Sequence, residues 1–168
     1  MRKYVLLPFI LPSFLVGYAC VALFTAIFAA HKLKLAGWVL EAQWRPWAAK
    51  RWHYSTTFGQ AVIYHPDHLL RVAGLPSRLE MHEHVHVRQN QDYAVLAFIL
   101  ALFCLPSWGK ALAVWIIGSS LWFAVNALTA LLRGGDPYRD SEHERAAYAQ
   151  TDLIEISQVG KDWLETRG

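Results

Sequence analysis

The sequence predicts a small α+β membrane protein with about three transmembrane helices and a small domain of helices and strands built from the segments around them. Composition points first toward the membrane: 55% of the 168 residues are hydrophobic and only 17% charged. Soluble domains run nearer half apolar and a quarter charged. Two long blocks, Tyr4–Ala30 and Tyr93–Leu132, carry almost no charge. The segments between and after them show strand-like and helix-like patterns instead of low complexity. The length suits a single domain, 1–168. The composition excludes a disordered or collagen-like chain.

In chain order, Tyr4–Ala30 is 27 residues without an Asp, Glu, Lys, Arg or His. That is about 40 Å of helix, enough for one tilted crossing. Pro8 and Pro12 are tolerable there as a membrane-helix kink. A signal-peptide core of about 7–15 residues is shorter than this block, so a permanent span, 4–30, is expected. Residues 31–92 then read as an interfacial segment, a strand and a helix. Trp38, Trp44, Trp47 and Trp52 lie among Lys32, Lys34, Arg45, Lys50 and Arg51, the mixture used by a helix in the headgroup region. Thr56–Tyr64 reads as a strand closed by His65-Pro66-Asp67, and Leu79–Gln91 reads as a helix.

Residues 93–132 form the second block, 40 residues interrupted only by Lys110. Pro106-Ser107-Trp108-Gly109-Lys110 divides it into a transmembrane hairpin of Tyr93–Leu105 and Ala111–Leu132. The first arm reaches a full span only by beginning upstream in the His-rich segment or by being re-entrant. Residues 133–168 hold a C-terminal helix, Tyr138–Gln158, with Pro137 and Ser141 as start signals and Gly160 as a stop. Net charge is +3, but no basic run accompanies the eight tryptophans, so the expected partner is a lipid bilayer and not nucleic acid. Cys20 and Cys104 sit in apolar stretches and provide no disulfide framework.

Residues 82–86 read His-Glu-His-Val-His and satisfy H-E-x-x-H with His82, Glu83 and His86. Positions four apart share a helix face, so both imidazoles can point at one metal ion. Glu83 lies about 100° further round, placed to hydrogen-bond a water beside that ion and act as general base. His84 points to the other side and has no catalytic role assigned. A catalytic zinc shell takes three protein ligands and leaves one position open. Glu144 is the first candidate for the third ligand, with Glu142 and His143 as alternatives. Ser141-x-x-Glu144 is also a capping box, which would engage Glu144 with its own helix start instead.

His82-Glu83-x-x-His86-x-x-Gln89, followed by Glu144-Arg145-Ala146-Ala147-Tyr148, resembles the zincin metallopeptidases of the gluzincin kind. The strand-like Gly59–Tyr64 upstream fits that resemblance, which covers residues 56–91 and 138–150. It implies a small zincin-like domain with one zinc ion per chain held by His82, His86 and Glu144, and Glu83 as general base. It also implies zinc-dependent hydrolysis of a peptide or protein substrate; the motif helix runs almost directly into Tyr93–Leu105, which places the expected substrate near the membrane surface. Tyr148 stands where the family pattern has Asp. Tyr148, Arg88 and Glu142 are the candidate substrate-binding or supporting residues. The reading from another class is a non-catalytic membrane protein, an interaction or assembly factor with a structural or relic metal site.

Bringing Glu144 to the histidines requires the intervening block to cross the membrane an even number of times, which a hairpin satisfies. Of the 16 Lys and Arg, Arg2, Lys3 and Lys110 fall on one side and the other 13 with the site. Charge bias therefore places the site toward the cytoplasm, with a bacterial inner membrane as the working assumption. His65-Pro66-Asp67-His68 is read as a turn and not a second metal cluster.

Overall fold

The computed structural model describes residues 2–27, 29–69, 77–137 and 139–156. Its elements run α1 (Arg2–Ala26), β1 (Ala30–Ala36), β2 (Val39–Trp44), α2 (Pro46–Ala49), β3 (Thr56–Phe58), β4 (Ala61–Tyr64), a single 3-10 turn at Pro66–Leu69, α3 (Arg78–Leu102), α4 (Trp108–Leu132) and α5 (Glu142–Ile156). The class is α+β, as expected. The four strands form one sheet in the order β1-β2-β4-β3, with β2 and β4 parallel and the other neighbours antiparallel.

The sheet lies between α1 and α3, and its alternation shows why. Successive strand residues face opposite sides. Ala42 and Trp44 of β2 join Ala61 and Ile63 of β4 in a core that includes Val21 of α1. Val39, Val62 and Tyr64 form a second core with Val87 of α3. All four residues of β4 are consequently buried. The expected single strand Thr56–Tyr64 is instead the hairpin β3–β4, turning at Gly59 and Gln60. Gly59 has φ +52°, and a Cβ there would stand 2.1 Å from the Ser13 carbonyl oxygen of α1. Gly17 makes the matching approach: its Cβ would meet the Phe58 carbonyl oxygen at 2.2 Å. Only glycine fits backbone against backbone at this spacing. The Trp- and Lys-rich stretch after α1 is likewise not a surface helix but the hairpin β1–β2 followed by one turn of helix, α2. Trp44 is buried there, its ring edge-to-face with Phe24 at 5.1 Å and tilted against Trp52 at 5.0 Å, whereas Trp38, Trp47 and Trp52 remain exposed.

The expectation of three transmembrane helices is corrected. Among the described residues, one helix is long and apolar enough to cross a membrane, through the window Phe9–Ala26 of α1. A third of that window is buried within the protein, because α1 also forms one layer over the sheet. Helix α3 does begin upstream, at Arg78. Its charge-free part after Asp92 is only ten residues, about 15 Å of rise against a hydrocarbon core of about 30 Å. Helix α4 passes the same test only if Trp108–Gly118 and Leu121–Leu132, inclined by 58° to each other, are counted as one bent span.

The hairpin itself is present. Tyr93 faces Trp122 and Phe123, Ala97 lies under Gly118, and Phe98 packs on Trp115, so α3 and α4 run antiparallel. Near its closed end α1 joins in, with Phe9 against Phe98 at 4.8 Å and the Trp115 indole donating to the Phe9 carbonyl at 3.1 Å. The return of α4 brings α5 back to the start of α3. Within the expected C-terminal helix, Tyr138, residues 157–158 and the stop at Gly160 lie outside the described residues.

Candidate metal centre

Ser77 starts α3 by accepting a hydrogen bond from the Glu80 backbone at 3.0 Å. The next turns are buried on every side: each residue from Glu80 to Val87 is inside. Burying such a run of polar side chains is costly unless they find partners. Helix periodicity distributes them. His84 points to the sheet and bonds Glu41 of β2 through Nε2 at 3.2 Å. Glu83 points to β3, where the Thr57 hydroxyl donates to its Oε2 at 2.6 Å. His82 and His86 point to α5.

Glu144 meets them there. The His82 Nε2 to Glu144 Oε2 distance is 3.1 Å, His86 Nε2 to Glu144 Oε1 is 3.2 Å, and the two Nε2 atoms are 3.1 Å apart. These three residues are buried and form the one group of metal-ligating side chains found among the described residues with this convergence. Tetrahedral bonds of 2.0–2.1 Å put ligand atoms about 3.4 Å apart, so the cluster has nearly the spacing that a small divalent ion requires. The group can hold a metal ion.

The tautomer of His86 fits as well. The Gln89 amide donates through Nε2 to the His143 carbonyl at 3.0 Å, which turns its oxygen toward His86 Nδ1 at 2.8 Å. The Nδ1 proton then belongs in that bond, leaving Nε2 as the lone pair facing the cluster. His82 has no equivalent support: its Nδ1 is buried without a hydrogen-bond partner among the described residues. The Tyr148 ring instead lies across the His82 ring at 4.2 Å. Tyr148 thus packs against the His82 imidazole instead of accepting a hydrogen bond from it.

Of the alternatives, Glu142 is exposed and pairs with Arg133 at 3.6 Å, away from the histidines. His143 stands beside the cluster, its Nε2 4.0 Å from Glu144 Oε1 and its ring against Phe123 at 4.6 Å. Arg88 is exposed on α3 and does not line the cleft. His65 precedes the 3-10 turn and His68 lies in it, where His68 Nδ1 bonds the Ser55 hydroxyl at 2.8 Å. Thr57 and Phe123 were not singled out from the sequence, and Gln89 stood in the motif without a role. Gln89 had a signal, being three residues from His86 on one helix face. Thr57 and Phe123 had none, because their places depend on the sheet and the hairpin.

The electrostatics separate the carboxylates. Burial opposes charge on Glu144, yet the hydrogen bonds of His82 and His86 outweigh it and hold its pKa down at about 2. Glu83 goes the other way: burial raises its pKa, only partly offset by the Thr57 hydroxyl and the two histidines. Burial also opposes charge on His86, but Glu144 and then Glu83 raise its pKa above the ordinary imidazole value. His143 is pushed down to about 4 by burial and the nearby His86, so it is neutral at pH 7.

A cleft of about 450 Å³ opens onto this cluster. Glu83, His86, His143 and Glu144 lie at its chemical end, Thr56 and Thr57 of β3 on one side, and Phe123, Ala124 and Ala127 of α4 on another. No protein-family model matches the chain, and no curated protein or solved structure matches it significantly.

Proposed function

We propose that the protein is a membrane-held zinc metallopeptidase that hydrolyses peptide bonds. The observation that carries this reading is the convergence of His82, His86 and Glu144 within about 3.2 Å of one another, beside Glu83 and at an open cleft. Two imidazoles and one carboxylate are a catalytic zinc donor set. Bound there, zinc would supply Lewis-acid polarisation of the scissile carbonyl and would acidify a water. Glu83, with its raised pKa and its Thr57 hydrogen bond, takes the proton of the attacking water and delivers it to the departing amine. Gln89 keeps His86 in the ligating tautomer, and His143 offers a neutral imidazole at the cleft wall. Strand β3 is an edge of the sheet, so its outer backbone groups suit an extended peptide. Helix α1 and the exposed apolar residues of α3 and α4 support a membrane setting.

The test is elemental analysis of detergent-purified wild type, His86→Ala and Glu144→Ala, followed by peptide hydrolysis with Glu83→Gln. The reading predicts about one zinc per chain, lost in the first two variants. It also predicts hydrolysis that disappears in Glu83→Gln while zinc remains. Metal-free wild type purified without chelator would overturn it.

The second reading is a non-catalytic metal site in an interaction or assembly factor. One observation favours it: His143 lies close enough to the cluster to close the shell after a small movement. X-ray absorption of the zinc-loaded protein separates the two, since three imidazoles would indicate the closed shell and two the open one.

A further inference from the structure

We propose that the cleft selects an apolar peptide segment, seating an apolar side chain beside the cleaved bond against Phe123, Ala124 and Ala127. This rests on the peptidase reading and names its substrate class. The lining surface of the cleft is mostly carbon, and among the described residues its only formally charged side chains are Glu83 and Glu144. Zinc bound at the inner end offsets the Glu144 charge, and away from that ion the lining offers an acidic substrate side chain no Lys or Arg to pair with, while Glu83 repels it. A basic side chain entering the cleft would pair with the carboxylates needed for ligation and proton transfer. An apolar side chain meets neither penalty.

Shape agrees with charge. Ala124 and Ala127 are three residues apart and share one side of α4, and their small side chains leave room beside the metal cluster. Phe123 fixes the wall at the inner end, its ring 4.6 Å from that of His143 and 6.2 Å from that of His86. The same arm of α4 also exposes Leu121, Trp122, Val125 and Leu128. The cleft wall thus continues into an exposed apolar helix surface, and a bound segment can stay in contact with carbon as it leaves. A polypeptide segment lying in or emerging from a membrane has this chemistry.

The experiment uses the zinc-loaded full chain in lipid nanodiscs. Two fluorogenic peptide sets differ only in one residue flanking the cleaved bond, Leu in one and Glu or Lys in the other. Binding of acetohydroxamic, hexanohydroxamic and dodecanohydroxamic acids is measured in parallel by tryptophan fluorescence. Leu peptides are expected to be cleaved with kcat/KM at least about tenfold above the charged ones, the scale of a few buried methylenes. Hexanohydroxamate should bind at least about tenfold tighter than acetohydroxamate. Ala127→Trp should remove both preferences while zinc content is retained, and Ala124→Trp repeats the test if that variant does not fold. Cleavage without preference between Leu and charged residues overturns the selectivity and leaves the peptidase reading standing. No cleavage of any peptide, with the hydroxamate order intact, overturns the peptidase reading. Affinity that keeps rising to the dodecyl chain without a peptide preference overturns the peptide in favour of a lipid acyl chain.

Discussion

The two halves of α3 are built on opposite rules. From Glu80 to Val87 the helix buries Glu80, His82, Glu83, His84 and His86 without leaving one residue of the run exposed. From Leu96 to Leu102 it leaves Leu96, Ile99, Leu100 and Leu102 exposed at 42–51%, while the small residues Ala97 and Ala101 are buried. One continuous helix thus has a polar interior end and an apolar exterior end. The first half is enclosed by the sheet, α5 and the returning end of α4, and His82, Glu83, His84 and His86 each make a directed bond there. The second half packs through alanines against α4, with Gly118 over Ala97, and turns its large side chains outward. A water-soluble helix would reverse both choices. Burial at the site end is therefore maintained by specific bonds, and exposure at the far end fits an apolar surrounding.

This contrast can be broken at its polar end first. Glu83→Gln should lower kcat by about 10²–10⁴ while zinc stays bound, because general-base catalysis contributes on that scale. Steady-state hydrolysis beside metal analysis measures it. Next, Glu41→Ala removes the carboxylate that His84 bonds on the opposite face of α3, and breaking a buried pair costs about 3–5 kcal/mol. Chemical denaturation should show that loss, and Glu41→Leu with His84→Leu should recover most of it. Gln89→Leu is expected to be smaller: it leaves every ligand in place but frees the His86 tautomer, so zinc affinity should fall about 10–100-fold in a chelator competition. The smallest effect belongs to the apolar end. Leu100→Ala, at an exposed position, should change stability in detergent by less than about 0.5 kcal/mol. A loss of several kcal/mol there would show that this end is packed like the other and would remove the contrast.

Much of the metal centre was legible because it is local. His82, Glu83 and His86 are fixed relative to one another by the helix period alone, and His84 is turned away by the same rotation. Glu144 was a choice between neighbours: a ligand or a cap, and Glu144, Glu142 or His143. Sequence could rank these but not decide, because the decision depends on which face of α5 meets α3. The α+β class followed from the mixture of patterns, and the hairpin of apolar helices from Pro106 to Lys110. The strand Thr56–Tyr64 was misread as continuous because its break rests on Gly59 approaching Ser13, a contact 46 residues away in the chain. Three spans were overcounted because an apolar block measures length and not continuity or direction: α3 spends its first half in the polar interior, and α4 bends.

By itself, then, the sequence determined what period and composition control: the paired imidazoles with Glu83 beside them, the apolar helices, and the absence of a basic run. Those properties are set within a few turns of one element, where neighbours are separated by a fixed rotation and rise. The tertiary structure decided what depends on distant segments meeting. It brought Glu144 to the histidines, Thr57 to Glu83 and Gln89 to the His143 carbonyl, and it made α1 a layer over the sheet as well as an apolar helix. Such contacts follow from which faces bury together, and no local spacing encodes that choice.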